Sequence, residues 1–404
     1  APAFVSLELE MKAHDATRYP DIDWPVDSDG YYQQAIAPER SFGVLPYLGV
    51  TTDLGFISPS ARDIVVSAAL YAPNFYGAYF PAEAPSAYNF IGGSFMVGAA
   101  TVGAGWRINR YLAVGANVSY HYMRLTMSQR MSVISALTPA GQEPNDLAKN
   151  AQFLLGDIRL DFAGTDHGAG WGLGLLVTPT SWLGIGVGYS GATAPAFEGD
   201  VQFTPQGNAT SDPERLRELV GALGYKLPQR LSIEMVIPPA LSFGVMVDPA
   251  PWLEVGVDMR LWLYNLYEAQ TITPIYDAGG AGTEVITAEG LTRDKQYHPS
   301  YQITLGALLR PFTSVPGLDL MLGVGYDQSP IPDETFTLDN PSLSQVKATV
   351  GARWQIDPRW RVSLTYLVVF YLPKDITTST TSPPTNVRGW GTSHSPALAV
   401  TCTL

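Results

Sequence analysis

The chain has 404 residues, of which 46% are hydrophobic and only 15% charged, and its formal net charge is −13. Phosphate recognition needs clustered Lys and Arg, so this balance excludes nucleic acid as a partner. The sequence has no apolar run of about 18 residues, which excludes membrane-spanning helices, and its single cysteine, Cys402, excludes an internal disulfide.

In chain order, Val5, Leu7, Leu9 and Met11 alternate with Ser6, Glu8, Glu10 and Lys12, the period-two pattern of a strand with two unlike faces. Further strands are predicted at 41–52, 63–72, 87–107 and 112–127; in the last, Val114, Ala116, Val118 and Tyr120 oppose Asn117, Ser119 and His121. Next come 153–177, 183–203, 230–247 and 253–271, then 301–310, 318–328, 343–356, 361–372 and 389–404. The clearest is the segment that begins at Trp252. Leu253, Val255, Val257, Met259, Leu261 and Leu263 share one face, and Glu254, Gly256, Asp258, Arg260, Trp262 and Tyr264 the other. Such a strand, roughly 11–12 residues long, crosses a bilayer when tilted. The predicted strands number fourteen, an even count that places both chain ends on one side of the membrane.

The connections alternate in length. Short turns fall at 108–110, 179–181, 248–251 and 357–359, with longer ones at 53–62 and 311–317. Long polar loops fall at 12–39, 73–86, 128–150, 204–229, 272–298, 328–342 and 373–387. Trp106, Tyr111, Trp182, Trp252, Trp354 and Trp360 flank the short turns, where a membrane-interface girdle belongs. The predicted fold is all-β: one fourteen-stranded antiparallel transmembrane β-barrel over 1–404, with short periplasmic turns, long extracellular loops and partly helical extensions at 128–150 and 204–229. The competing fold is a large secreted β-sandwich. Fourteen strands leave an opening unless loops or a partner fill it.

Three motifs carry a family resemblance. Tyr326-Asp327-Gln328-Ser329-Pro330-Ile331-Pro332-Asp333 resembles the D-S-P-x-P motif of the FadL/TodX (OMPP1) family of outer-membrane transporters for long-chain fatty acids and other hydrophobic compounds. Ile237-Pro238-Pro239, followed by Leu241-Ser242-Phe243-Gly244, resembles the start of that family's eighth strand, and Ala1-Pro2-Ala3 the tail of its Asn-Pro-Ala segment. The resemblance covers essentially the whole chain. It implies a bacterial outer-membrane channel for passive uptake of a long-chain fatty acid or an aromatic hydrocarbon, in contact with outer-membrane lipid and lipopolysaccharide. Loops capture the ligand in such a channel, and the barrel wall releases it. The family's N-terminal hatch has no counterpart in this chain, whose first residues match the hatch's end. The alternative role is that of an accessory subunit in an outer-membrane secretion or assembly complex, with a protein partner.

The resemblance assigns Pro73 and Asn74 to a kink that opens the wall, since Pro cannot donate to a sheet ladder; the plainer reading ends the strand there. In loop 204–229, Asp212-Pro213-Glu214 starts a predicted helix, and Leu216, Leu219, Val220 and Leu223 form its apolar stripe. The family makes its capture groove from such loops, whereas a plain stripe would only pack loops together. Asp157, Arg159, Asp161, Glu254, Asp258 and Arg260 are read as lumen residues, serving either as a carboxylate clamp or as a charge ladder that stiffens the barrel. Asp21, Asp23, Asp27 and Asp29 crowd oxygen donors that suit Ca²⁺, without EF-hand spacing. The five histidines form no metal-ligand spacing and the G-x-S-x-G elbow is missing, so neither an enzyme nor a cofactor is expected; His121 beside Ser119 reads as a lumen pair.

Overall fold

The computed structural model describes residues 2–403 except 21, 40–41, 139–141, 208–210, 223, 278–281, 285–290, 311–314 and 316. In chain order the elements are β1 (Pro2–Met11), β2 (Phe42–Val44), β3 (Tyr47–Asp53), β4 (Ile64–Tyr79), β5 (Gly92–Asn109), β6 (Leu112–Met131), α1 (Val133–Leu137), α2 (Asp146–Leu155) and β7 (Ile158–Thr180). Then follow β8 (Leu183–Ser190), β9 (Ala196–Pro205), α3 (Pro213–Ala222), β10 (Tyr225–Lys226), β11 (Arg230–Glu234), β12 (Ala240–Ala250), β13 (Leu253–Trp262) and β14 (Ala269–Ile275). The chain ends with β15 (Thr283–Glu284), β16 (Leu291–Asp294), β17 (Ser300–Leu309), β18 (Leu318–Asp327), β19 (Gln345–Gln355), β20 (Trp360–Asp375) and β21 (Val387–Cys402).

Antiparallel pairing runs from neighbour to neighbour and closes where β1 meets β21, from Phe4↔His394 to Met11↔Val387. Four of the predicted strands are interrupted, giving the pairs β2/β3, β8/β9, β11/β12 and β13/β14, and β16, which falls in the predicted loop 272–298, extends the wall above β17. Counting each pair as one wall strand, the described residues form a ring of fourteen. Closure of first strand on last leaves neither as a free edge, as a bilayer requires.

Register sets the faces. Val257 lies opposite Val245 and Leu305, all three pointing outward, and Val257 is 45% exposed. Asp258 lies opposite Gly244 and Thr304 on the inner face. The turn-side aromatics Trp106, Tyr111, Trp182, Trp252, Trp354 and Trp360 are all exposed, as an interfacial girdle must be. The predicted turn at 311–317 lies largely outside the described residues.

The loop-side half of the barrel is packed. One core joins Leu7, Leu9 and Met11 of β1 to Tyr32, Phe90, Tyr267, Tyr297, Phe336, Leu338 and Val387. A second joins Phe95, Val97, Met123, Phe162, Phe197, Val201, Leu216, Leu231 and Ile272. The apolar face of β1 therefore points inward and Glu8 outward, the reverse of β13, because β1 lines this filled half. The opening expected of fourteen strands is occupied there by the protein's own loops. On the turn side the inner wall is bare, with Gly174 opposite Gly188 and Gly256 opposite Gly306.

Candidate functional site: a loop-side cavity beside an unpaired wall segment

Pro73 lies inside a strand rather than at its end. β4 continues to Tyr79, and the register with β5 slips between Tyr71↔Ala99 and Asn74↔Val97, a bulge at 72–73. On the other side, the β3–β4 ladder stops at Tyr47↔Tyr71, while β2 turns away to pair with β1. Pro46, which has no backbone N–H, sits in the break between β2 and β3. Among the described residues, β4 has no ladder partner on its β3 side from Asn74 to Ala78, and only the Glu39 N–H donating to the Tyr79 carbonyl (2.6 Å) closes the top. Bulge and broken ladder together make a seam in the wall.

Behind the seam lies a cavity of about 330 Å³, bordered by Tyr76, Gly77 and Ala78 of that unpaired segment and by Pro38 and Glu39. Val5, Leu7, Phe90, Leu125, Met127, Ile233, Ile272 and Leu338 make most of its wall apolar, and Tyr267, Arg293, Lys295, Tyr297 and Asp339 supply polar groups. Sequence reasoning placed Pro73 and Asn74 at a wall defect but did not find these five: Arg293, Lys295, Tyr297 and Asp339 lie on predicted loops, and Tyr267 lies in the predicted strand 253–271, where the structure breaks it between β13 and β14.

The loops above are locked by Asp157. Its carboxylate accepts from the Tyr88 hydroxyl and from Gln152 Nε2 (2.9 Å), with Arg130 Nη1 at 3.9 Å. Gly156 makes this possible: its φ of 63° ends α2, and a Cβ there would meet the Gly207 backbone at 2.5 Å. Asp157 is thus a buried tie between loops rather than a lumen group. Arg159 and Asp161 are corrected as well. They pair with each other at 2.9 Å on the outer face, because Leu160 and Phe162 take the inner one and pack into the second core.

For Glu254, Asp258 and Arg260 the lumen reading fits better. Glu254 pairs with Arg310 (3.0 Å), and Arg260 stacks on Trp262 (4.1 Å) and reaches Ser190 (3.4 Å). Glu254–Arg310, Asp319–Arg353 (2.6 Å) and Asp327–Lys347 (2.7 Å) are rungs between neighbouring strands, whereas Arg260 stacks within β13 and reaches across β12 to β8. Asp258 stands over Gly244 on this face.

In the loop helices the apolar stripes differ in exposure. Leu216 of α3 is fully buried in the second core and Val220 packs against it, with Leu219 half-buried; Leu223 lies outside the described residues. In contrast, Leu147, Phe153 and Leu154 of α2 are 70%, 76% and 54% exposed. The reason is α2's own anchoring: it is held through Ala148 and Gln152, both buried, which leaves its apolar side free. Asp27 uses its carboxylate on the N–H groups of Asp29 and Tyr31 (2.9 Å each), a turn-forming role. Asp21 lies outside the described residues, and the described residues hold no cluster of three metal-ligating side chains. Ser119 Oγ bonds Thr101 Oγ1 at 2.7 Å, and His121 Nδ1 has no partner among the described residues, so the pair is not an activated nucleophile.

Comparison with known proteins identifies the architecture. The family model for "Outer membrane protein transport protein (OMPP1/FadL/TodX)" matches residues 28–403. A FadL homologue of Pseudomonas aeruginosa superposes with a TM-score of 0.74 at 14% identity, covering 99% of this chain and 89% of that one. The toluene transporter TodX of P. putida gives 0.67 at 16%, covering 100% and 88%. The toluene transporter TbuX of Ralstonia pickettii gives 0.61 at 14%, covering 100% and 89%. No curated protein matches the sequence. Fold, register and family model agree: this chain belongs to the OMPP1/FadL/TodX family of outer-membrane transport proteins and is a transport protein rather than an enzyme.

Proposed function

We propose that this outer-membrane barrel carries hydrophobic small molecules, of the fatty-acid or aromatic-hydrocarbon type, inward by passive diffusion and releases them sideways through the wall. The observation that carries the reading is the apolar cavity opening onto the unpaired part of β4. An apolar ligand gains by leaving water for such a cavity. From there a sideways step reaches lipid without crossing the polar, glycine-lined turn-side lumen. The exposed apolar side chains of α2 (Leu147, Phe153, Leu154), and the half-buried Leu219 of α3 in the same loop layer, would make first contact. Pro73 and Asn74 would keep the seam open, and Glu254, Asp258 and Arg260 would stiffen the wall below.

The test is to fill the cavity. Ala78→Trp places an indole where Ala78 borders it, and folding is checked by the mobility difference between unboiled and boiled samples. Uptake of labelled toluene or oleate by cells lacking other such channels should fall severalfold with assembly intact. Undiminished uptake would contradict the route.

A further inference from the structure

The cavity has one polar end, and that end is unsatisfied. Tyr267 is 4% exposed and Lys295 3% exposed, and both line the cavity with Asp339. Tyr267 Oη, Tyr297 Oη and Asp339 Oδ1 are buried with no hydrogen-bond partner among the described residues. Native proteins pair nearly all such groups, because an unmade bond forfeits the hydration given up on burial. A conduit for hydrocarbon alone has no use for any of these atoms.

The charge state of the group narrows the ligand. Burial pushes the Asp339 carboxyl up, but Lys295, a Thr337 contact and Arg293 outweigh it and leave the group below its ordinary value. Asp339 is therefore a carboxylate and can only accept. Burial, with the neighbouring Tyr297 and Asp339, raises the Tyr267 hydroxyl, which keeps its proton and can donate. Tyr297 supports the arrangement, its ring edge-on to Tyr267 at 5.6 Å. Two vacant tyrosine hydroxyls, of Tyr267 and Tyr297, and one vacant acceptor call for a ligand group that both accepts and donates.

We propose that this end of the cavity binds the hydroxyl of a hydrophobic alcohol or phenol, whose O–H donates to Asp339 Oδ1 while its oxygen accepts from Tyr267 Oη. The inference rests on the reading of this cavity as the transport site. A hydrocarbon would leave both protein atoms bare. A carboxylate ligand would set a second negative charge beside Asp339, which already draws on both Lys295 and Arg293.

The experiment compares 4-propylphenol, propylbenzene and 4-propylbenzoate binding to the 404-residue barrel in lipid nanodiscs, by calorimetry against empty discs. The phenol should bind at least about tenfold more tightly than either of the others. Tyr267→Phe, with heat-modifiable mobility confirming the fold, should cut the phenol's advantage over propylbenzene severalfold; Asp339→Asn, which can still accept through its carbonyl, should restore binding of the benzoate toward that of the phenol. Equal binding of phenol and hydrocarbon by the native barrel would overturn this inference while leaving the transport reading intact. So would an unchanged preference in Tyr267→Phe. Binding of none of the three would overturn both.

Discussion

At the scale of single residues, which face a side chain takes decides what it can do. Val257 meets lipid and Asp258, its neighbour, meets the lumen. A charge on the lipid face near mid-membrane costs roughly 2–4 kcal/mol, and lumen changes cost little. Val257→Arg should therefore lower the heat-modifiable, assembled fraction, whereas Asp258→Asn should leave it unchanged; the reverse pattern would mean the faces are exchanged. His14 makes a second case in the first extracellular loop. It packs against Tyr19 (5.0 Å) and contacts the Pro85 carbonyl (3.3 Å), and burial holds its pKa down to about 4. The folded state thus keeps this imidazole neutral where the unfolded chain would protonate it. Its contribution is complete above the ordinary histidine value near 6.5 and is lost as pH falls toward 4, on the order of 3 kcal/mol over that window. Protease sensitivity of the loop around His14 should rise between pH 7 and pH 4.5, and His14→Phe should flatten that rise.

Elements show where the sequence could be read and where it could not. Alternation located every wall strand, because lipid outside and a polar lumen inside impose opposite chemistry on neighbouring residues. The same rule misplaced Arg159 and Asp161. Above the membrane β7 borders a packed core, so its apolar residues turn inward and its charges outward. It also missed the helical start of 153–155 and the continuation of β4 past Pro73 to Tyr79. A proline in a strand announces a lost hydrogen bond, but whether the strand ends or bulges is settled by its neighbours, here β5 on one side and the departing β2 on the other. The seam that results is testable at this scale. Pro73→Val restores a donor and should favour pairing of β4 with the β3 side, lowering uptake of a hydrophobic substrate severalfold without loss of folded barrel. Unaltered uptake would reduce Pro73 to a structural bulge.

In the whole molecule, the two halves of the barrel do different work. The loop-side half is filled by two apolar cores around the cavity; the turn-side half is bare, glycine-lined and laced with ion pairs. The net charge of −13 resides mainly with the loop side, since arginines such as Arg107, Arg110, Arg353 and Arg361 balance the carboxylates near the short turns. An uptake route that left through the lumen would have to cross the bare half, and one that left through the seam would not. The polar end of the cavity was invisible in the sequence, because Tyr267, Lys295 and Asp339 come from three separate loops that only the closed barrel brings together. The most direct measurement is photolabelling of the barrel in native membranes with a diazirine-bearing hydrophobic probe, mapped by mass spectrometry. The account predicts labels on Tyr76, Ala78, Leu125 and Ile272, at the cavity and seam. Labels confined to the turn-side lumen, around Leu176, Met246 and Asp258, would contradict it.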